Sequence, residues 1–419
     1  MKVILSFLLI ALVSCAPVSE GIRFSVLPEE EEIKLGKRYI PTAIAQNEGV
    51  YPDEEVQNYV RSLGNRLSAL APRKLPYRFY VVSSSAHNAF ALPGGPVFVT
   101  RGLLLILDNE SELVGVLGHE LGHINKRHHA RYLEKVMGLS LLLQITAILV
   151  GDGSTSSQLL LQMANIGAGL LTLKFSRDQE READDFGIRI TARAGYDPSG
   201  LVRVFEKFKK LQRRKVPSWL STHPLPSERI SRVSRELDRY KSMHLKKDSE
   251  TFRKIKQKLL STESSYRLYE EGKKLYRKKD RQTALLKFKE AVRLYPKNQM
   301  AHIYISSILT EEGRHKEALH HANEAVRIDP QLVFSWFMRG VVLFNMGSYQ
   351  RSISDLKEAV KLVPSFADAH YFLGRNYEAL GRYREALASY ERAIKLSKGK
   401  EPWLSDVKRR YRILSGGLY

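Results

Sequence analysis

Three prolines, Pro296, Pro330 and Pro364, stand 34 residues apart. Ala284, Ala318, Ser352 and Ala386 keep the same interval, as do Ala291, Ala325, Ala359 and Ala393. Gly272, Gly340 and Gly374 fall in register, with Ser306 in the remaining slot. Agreement at several positions over four periods leaves few architectures open. A unit of this length is a pair of helices that cannot bury its apolar face alone, so neighbours must stack into a solenoid. The small residues let the two helices of a unit approach closely, and proline ends the second helix. The units run 265–298, 299–332, 333–366 and 367–400. Lys398 replaces the proline of the fourth, and 401–419 reads as a capping helix and tail.

The rest of the chain follows a different grammar. Residues 30–240 mix helix and strand. Residues 30–72 read as helical, with Pro52-Asp53 opening a helix that carries Val56, Tyr59, Val60, Leu63 and Leu67 at helical spacing. Pro76 to Ser83 is β-rich, and Asn88 to Arg101 reads as two strands around Pro93-Gly94-Gly95. A helix starts near Ser111. The basic stretch 241–264 reads as a linker helix between independent halves, so a chain ending near Lys246 is expected to keep the chemistry of the first half. Within 137–173, Met137 to Gly151 is too short to span a membrane comfortably, and Ser154-Thr155-Ser156-Ser157-Gln158 opens the longer stretch. A helical hairpin packed over the site is expected there.

The N-terminus reads as an address. Met1-Lys2 precedes an apolar run from Val3 to Val13, the pattern of a secretory signal. Cys15, the sole cysteine, follows directly after Ser14 and resembles the lipidation site of a bacterial lipoprotein. Residues 1–14 are then a signal peptide and 15–29 a tether. Ala16, in place of the aspartate typical of inner-membrane retention, points to the periplasmic side of the outer membrane. One cysteine also excludes an intrachain disulfide and a thiolate metal cluster. The net charge of +22 is spread along the chain without an aromatic-interleaved basic box or finger motif, so nucleic acid is not an expected partner.

The chemistry lies in His119-Glu120-Leu121-Gly122-His123. Four residues are about one helical turn, so both imidazoles face one point. Glu120 lies about 100° round the helix, placed to serve an attacking water rather than to ligate. Farther on, Glu180 and Asp184 are spaced i,i+4 on a helical stretch and share a face. Glu180 can supply a third ligand, and Asp184 can accept a hydrogen bond from a ligand imidazole. Glu182 is the rival ligand, but it sits about 200° round from Glu180. Continuing the helix past His123 puts His128 and His129 about 140° and 240° off the ligand face, on the surface or behind the ligands. His223, in Thr222-His223-Pro224, can donate to an oxyanion or fill the open ligand position.

Four segments carry a family resemblance: HELGH at 119–123, SRDQEREAD at 176–184, NAFALPGG at 88–95 and THPLPSER at 222–229. With the downstream repeats, which resemble the tetratricopeptide repeat, they are similar to the zinc metallopeptidase family that includes HtpX and the CAAX prenyl proteases, in its soluble branch with a repeat domain. The resemblance implies an α+β, gluzincin-like metallopeptidase domain with a small β-sheet, followed by an all-α solenoid. It implies one zinc ion held by His119, His123 and Glu180, with Glu120 as base. It implies an edge strand, Val97-Phe98-Val99, that binds substrate backbone. It also implies unfolded or misassembled envelope proteins, outer-membrane β-barrels and their assembly machinery as substrates and partners. The rival reading is a repeat-based chaperone or adaptor whose metal domain is structural.

Overall fold

A computed structural model describes residues 27–134, 169–170, 172–212, 217–224 and 227–416. The signal segment, Cys15, most of the tether and most of the apolar stretch 137–173 lie outside the described residues. Among the described residues no helix is long and apolar enough to cross a membrane.

The first half begins with α1 (Glu29–Gln46) and α2 (Glu54–Ala69). Asp53 caps α2 by accepting from the backbone N–H groups of Glu55 and Val56, and Val56, Val60, Leu63 and Leu67 form its buried face. A three-stranded sheet follows, made of β1 (Arg78–Val82), β2 (Ala89–Ala91) and β3 (Pro96–Thr100) in the order β1-β3-β2. β2 and β3 pair antiparallel about Pro93-Gly94-Gly95, and β1 pairs parallel with β3. Gly94 has φ +72°, and a Cβ there would come within 2.4 Å of the Ile33 Cα of α1.

This order corrects one expectation. Val97, Phe98 and Val99 do not form an edge: they lie in the central strand, hydrogen-bonded on both sides and fully buried. Their ladder groups are spent within the sheet, so no substrate backbone can add there. Among the described residues the short β2 is the edge on that side.

α3 (Arg101–Ile106) leads into α4 (Glu110–Asn125), which Asn109 caps through the N–H of Glu112. Every residue of α4 up to Ile124 is buried. It runs against α5 (Arg177–Arg193) at a distance only glycine permits: a Cβ on Gly122 would lie 2.8 Å from the Ala183 Cα. α6 (Ser199–Gln212), the short α7 (Trp219–Thr222) and α8 (Ser227–Glu236) complete this half.

α9 (Glu250–Ser261) is followed by four helix pairs: α10 (Glu263–Arg277) with α11 (Arg281–Leu294), α12 (Gln299–Glu311) with α13 (His315–Ile328), α14 (Val333–Asn345) with α15 (Tyr349–Leu362), and α16 (Ala367–Ala379) with α17 (Tyr383–Leu396). The periodic small residues sit at the crossings, with Ala284, Ala291, Ala318, Ala325, Ala359, Ala386 and Ala393 fully buried. A second regularity accompanies them. His302, Trp336 and His370 occupy the same repeat position, and each donates a ring N–H to the carbonyl of Pro296, Pro330 or Pro364. α18 (Leu404–Gly416) closes the array, with Trp403 stacked on Tyr371.

The two halves are not independent. A single apolar cluster runs from Leu27 through the sheet and α4 into α9–α14. Phe252, Ile255 and Leu259 of α9 are buried in it. The turn between α1 and α2 docks on the second repeat: Asp329 Oδ2 accepts from the Val50 N–H at 2.7 Å, and Gln299 donates to the carbonyls of Glu48 and Val50. Gly49, at φ +89°, leaves no space for a side chain between them. Arg101 is buried over the Tyr266 ring and pairs with Glu263. The stretch read as a linker is therefore part of the core. Sequence patterning missed this because Phe252, Ile255 and Leu259 also fit an ordinary helix face, and the turn between α1 and α2 meets partners that are distant along the chain.

Candidate metal centre

α4 presents His119 and His123 one turn apart, with their Nε2 atoms 3.0 Å from each other. α5 brings Glu180 to the same point, 3.7 Å from each of those nitrogens. His223, at the end of α7, adds Nδ1 at 2.9 Å from Glu180 Oε1 and 3.3 Å from His119 Nε2. One donor atom from each of the four lies within 4.8 Å of every other. All four residues are at most 2% exposed.

The surroundings orient this set. Asp184 Oδ1 accepts from His119 Nδ1 at 3.0 Å, which fixes the ring so that Nε2 carries its lone pair into the cluster. Arg229 in turn donates to both Asp184 oxygens at 2.7 Å and pairs with Glu180. Its guanidinium lies over Phe205 and Trp219. Burial acts to raise the Asp184 pKa, and Arg229 outweighs it, holding the carboxyl well below its ordinary value. Burial pushes Glu180 up to about 7 against the pull of Arg229, and pushes His223 down to about 3. The donor chemistry suits a metal. Imidazole lone pairs and a carboxylate converge in a dry site, where only a cation or shared protons can relieve their mutual repulsion.

Glu120 stands beside this set. Its Oε1 accepts from Trp219 Nε1 at 3.2 Å and lies 3.7 Å from His223 Nε2. Burial raises its pKa above the ordinary carboxyl value. Glu182, the rival ligand, points elsewhere, pairing with His128 at 3.0 Å and Arg131 at 3.1 Å.

Several features escaped the sequence. α4 stops at Asn125, and Arg127 adopts φ 55°, which turns the chain. Of the two expected places, the turn leaves neither histidine on the surface: both are buried, and His128 stands behind the ligand His123. His128 Nδ1 contacts His123 Nδ1 at 2.9 Å, and Phe175 stacks on His123 at 3.8 Å. Trp219 stacks on His223 at 4.4 Å while holding Glu120. The i,i+4 spacing of Trp219 and His223 was the available signal. For Arg229, it was the first arginine after a proline-stiffened histidine loop.

Residues 52–237 match the model of peptidase family M48, and 269–333 and 337–401 match a tetratricopeptide repeat model. A beta-barrel assembly-enhancing protease of Yersinia pestis is 34% identical over 222 residues, covering 49% of this chain and 44% of the relative. That of Escherichia coli K12 is 32% identical over 261 residues, covering 58% and 51%. Metalloprotease YcaL of Escherichia coli K12 is 32% identical over 173 residues, covering 41% and 65%. The chain thus spans about half the length of the assembly-enhancing proteases it matches. Among solved structures, a crystal structure of MamA gives a TM-score of 0.31 at 23% identity, covering 35% of this chain and 83% of that one. The chain joins a domain of peptidase family M48 to a tetratricopeptide-repeat array.

Proposed function

We propose that the chain is a zinc-dependent endopeptidase that cleaves misfolded or stalled envelope proteins and assists outer-membrane protein assembly through its repeats. The observation that carries this reading is Glu120: a buried carboxylate held by Trp219 beside a four-donor cluster, and not itself part of it. His119, His123 and Glu180 hold the metal. A zinc ion there supplies Lewis acidity to a scissile carbonyl and lowers the pKa of water. Glu120 takes the proton of the attacking water and delivers it to the leaving amine. Asp184 and Arg229 keep His119 and Glu180 in place throughout. Relatives named as beta-barrel assembly-enhancing proteases support the substrate class.

His223 stands as a fourth donor in this conformation. Of its two possible roles, we assign it that of a latch that must leave before substrate enters. A specific observation also favours the rival structural site, because four closed ligands are what a structural zinc has. One series of variants separates the two, with zinc content and cleavage of an unfolded outer-membrane protein measured for each. Glu180→Gln loses most of the zinc and the cleavage, and Glu182→Gln keeps both. Asp184→Asn weakens zinc by about 10–100-fold. His223→Ala keeps zinc and cleaves faster. No cleavage by the wild-type chain or any variant would leave the structural reading standing. Zinc lost with Glu182→Gln but not Glu180→Gln would reverse the ligand assignment.

The address is also part of the proposal. A lipid on Cys15 would hold the enzyme at the periplasmic face of the outer membrane, since two or more acyl chains suffice for stable anchoring. Palmitate labelling in the producing cell is expected for the wild type and absent in Cys15→Ser; an unlabelled wild type sinks the anchor.

A further inference from the structure

The second repeat contains a pair of histidines that the proposed protease chemistry does not use. His302 on α12 is buried, and His321 on α13 is half-buried. Their Nδ1 atoms face each other at 3.0 Å. His302 Nε2 donates to the Pro296 carbonyl at 3.0 Å, so its Nδ1 carries a lone pair. A ring whose far nitrogen is fixed by a carbonyl and whose near nitrogen faces a second imidazole is built as metal ligands are built. His119 and His123 show the same 3.0 Å separation between ring nitrogens. The other repeats lack the pair. Trp336 and His370 make the equivalent bonds to Pro330 and Pro364, but Asp355 and Ser389 stand where the second repeat has His321.

In the metal-free chain the two Nδ1 atoms share one proton in a hydrogen bond, and a divalent ion can take its place between them. Imidazole suits Zn2+, Ni2+ and Cu2+, and Cu2+ binds a given nitrogen site most tightly of these. We propose that His302 and His321 form a second metal site, for an imidazole-seeking divalent transition metal, that ties α12 to α13. Burial lowers the pKa of both rings, so neither needs to lose a charge to bind at neutral pH. His321 would move its proton from Nδ1 to Nε2 as the metal enters, with no net proton release. The exposed His320, its ring centroid 5.3 Å from that of His321, adds a neighbouring imidazole. The nearby Glu324 is paired with Arg327. This repeat also carries Gln299 and Asp329, which hold the turn of the first half, so a metal here would stiffen the docking contact.

The test is a Cu2+ titration of the full zinc-loaded chain, read by electron paramagnetic resonance and thermal melting. The wild type is expected to take one Cu2+ beyond its zinc, with hyperfine coupling to at least two nitrogens and a raised melting temperature. His321→Gln, whose amide can still bond His302, is expected to lose at least tenfold in Cu2+ affinity and the melting shift while keeping zinc. Equal titration by both proteins, or no Cu2+ bound by the wild type, overturns the site. Because zinc content is read separately, failure here leaves the peptidase reading untouched.

Discussion

Glu120→Gln is expected to leave the zinc content of the protein unchanged and to lower cleavage by about 10²–10⁴-fold, the range that general acid–base catalysis contributes. The substitution keeps shape and removes only the capacity to take a proton. The glutamine carbonyl can still accept from Trp219 Nε1, so the packing of Trp219 against His223 should persist. The four donor atoms do not include Glu120, so nothing that holds the metal is lost. His119→Ala is the contrast: it removes a ligand and leaves Asp184 and Arg229 without the ring they orient, so metal and cleavage fall together. Metal analysis and the cleavage rate on one unfolded substrate decide the matter. A Glu120→Gln protein cleaving at more than about a tenth of the wild-type rate would remove Glu120 from the chemistry, since a lost base costs far more than tenfold.

What could be read from the sequence follows the range of each interaction. His119 with His123, and Glu180 with Asp184, are pairs one helical turn apart, and helix geometry alone places each pair on one face. The repeats are legible for the same reason: each unit contacts its neighbour at a fixed interval, so the period is written into the chain. Val97-Phe98-Val99 shows where this ends. Its antiparallel partner β2 is joined by a short turn, but its parallel partner β1 lies across a longer connection, and no local pattern distinguishes a strand paired once from one paired twice. For His128 the sequence allows the surface or a place behind the ligands, and the choice turns on one dihedral, the positive φ of Arg127 that redirects the chain after α4. Arg229 and Trp219 are hidden differently. Their roles depend on a loop returning across 99 residues to α4 and 45 residues to α5, which neither spacing nor composition encodes.

A chain ending at Lys246 is expected to lose cooperative folding and much of its zinc, against the sequence expectation of two separable halves. The cut removes Phe252, Ile255 and Leu259, each at most 2% exposed and each contributing about 1.5–3 kcal/mol by burial. It also uncovers Tyr51 and Arg101, both buried at the junction, and strips Arg101 of Glu263 and of the Tyr266 ring. Against these losses, whole-domain stability is only about 5–15 kcal/mol. The turn 47–50 loses the hydrogen bonds from Gln299 and to Asp329 as well. A chain ending at Val363 makes the comparison informative. It removes the fourth repeat and the cap, whose apolar residues belong to a second cluster beginning at Val333, and keeps the junction whole. Thermal melting and zinc content should therefore stay near those of the full chain for the cut at Val363 and collapse for the cut at Lys246. If the shorter chain melts within a few degrees of the full one and keeps its metal, the shared core does not hold the metal half together. Recognition and cleavage could then be supplied by separate pieces. If it collapses as expected, anything that binds the second repeat acts on a surface continuous with the sheet beneath the metal centre.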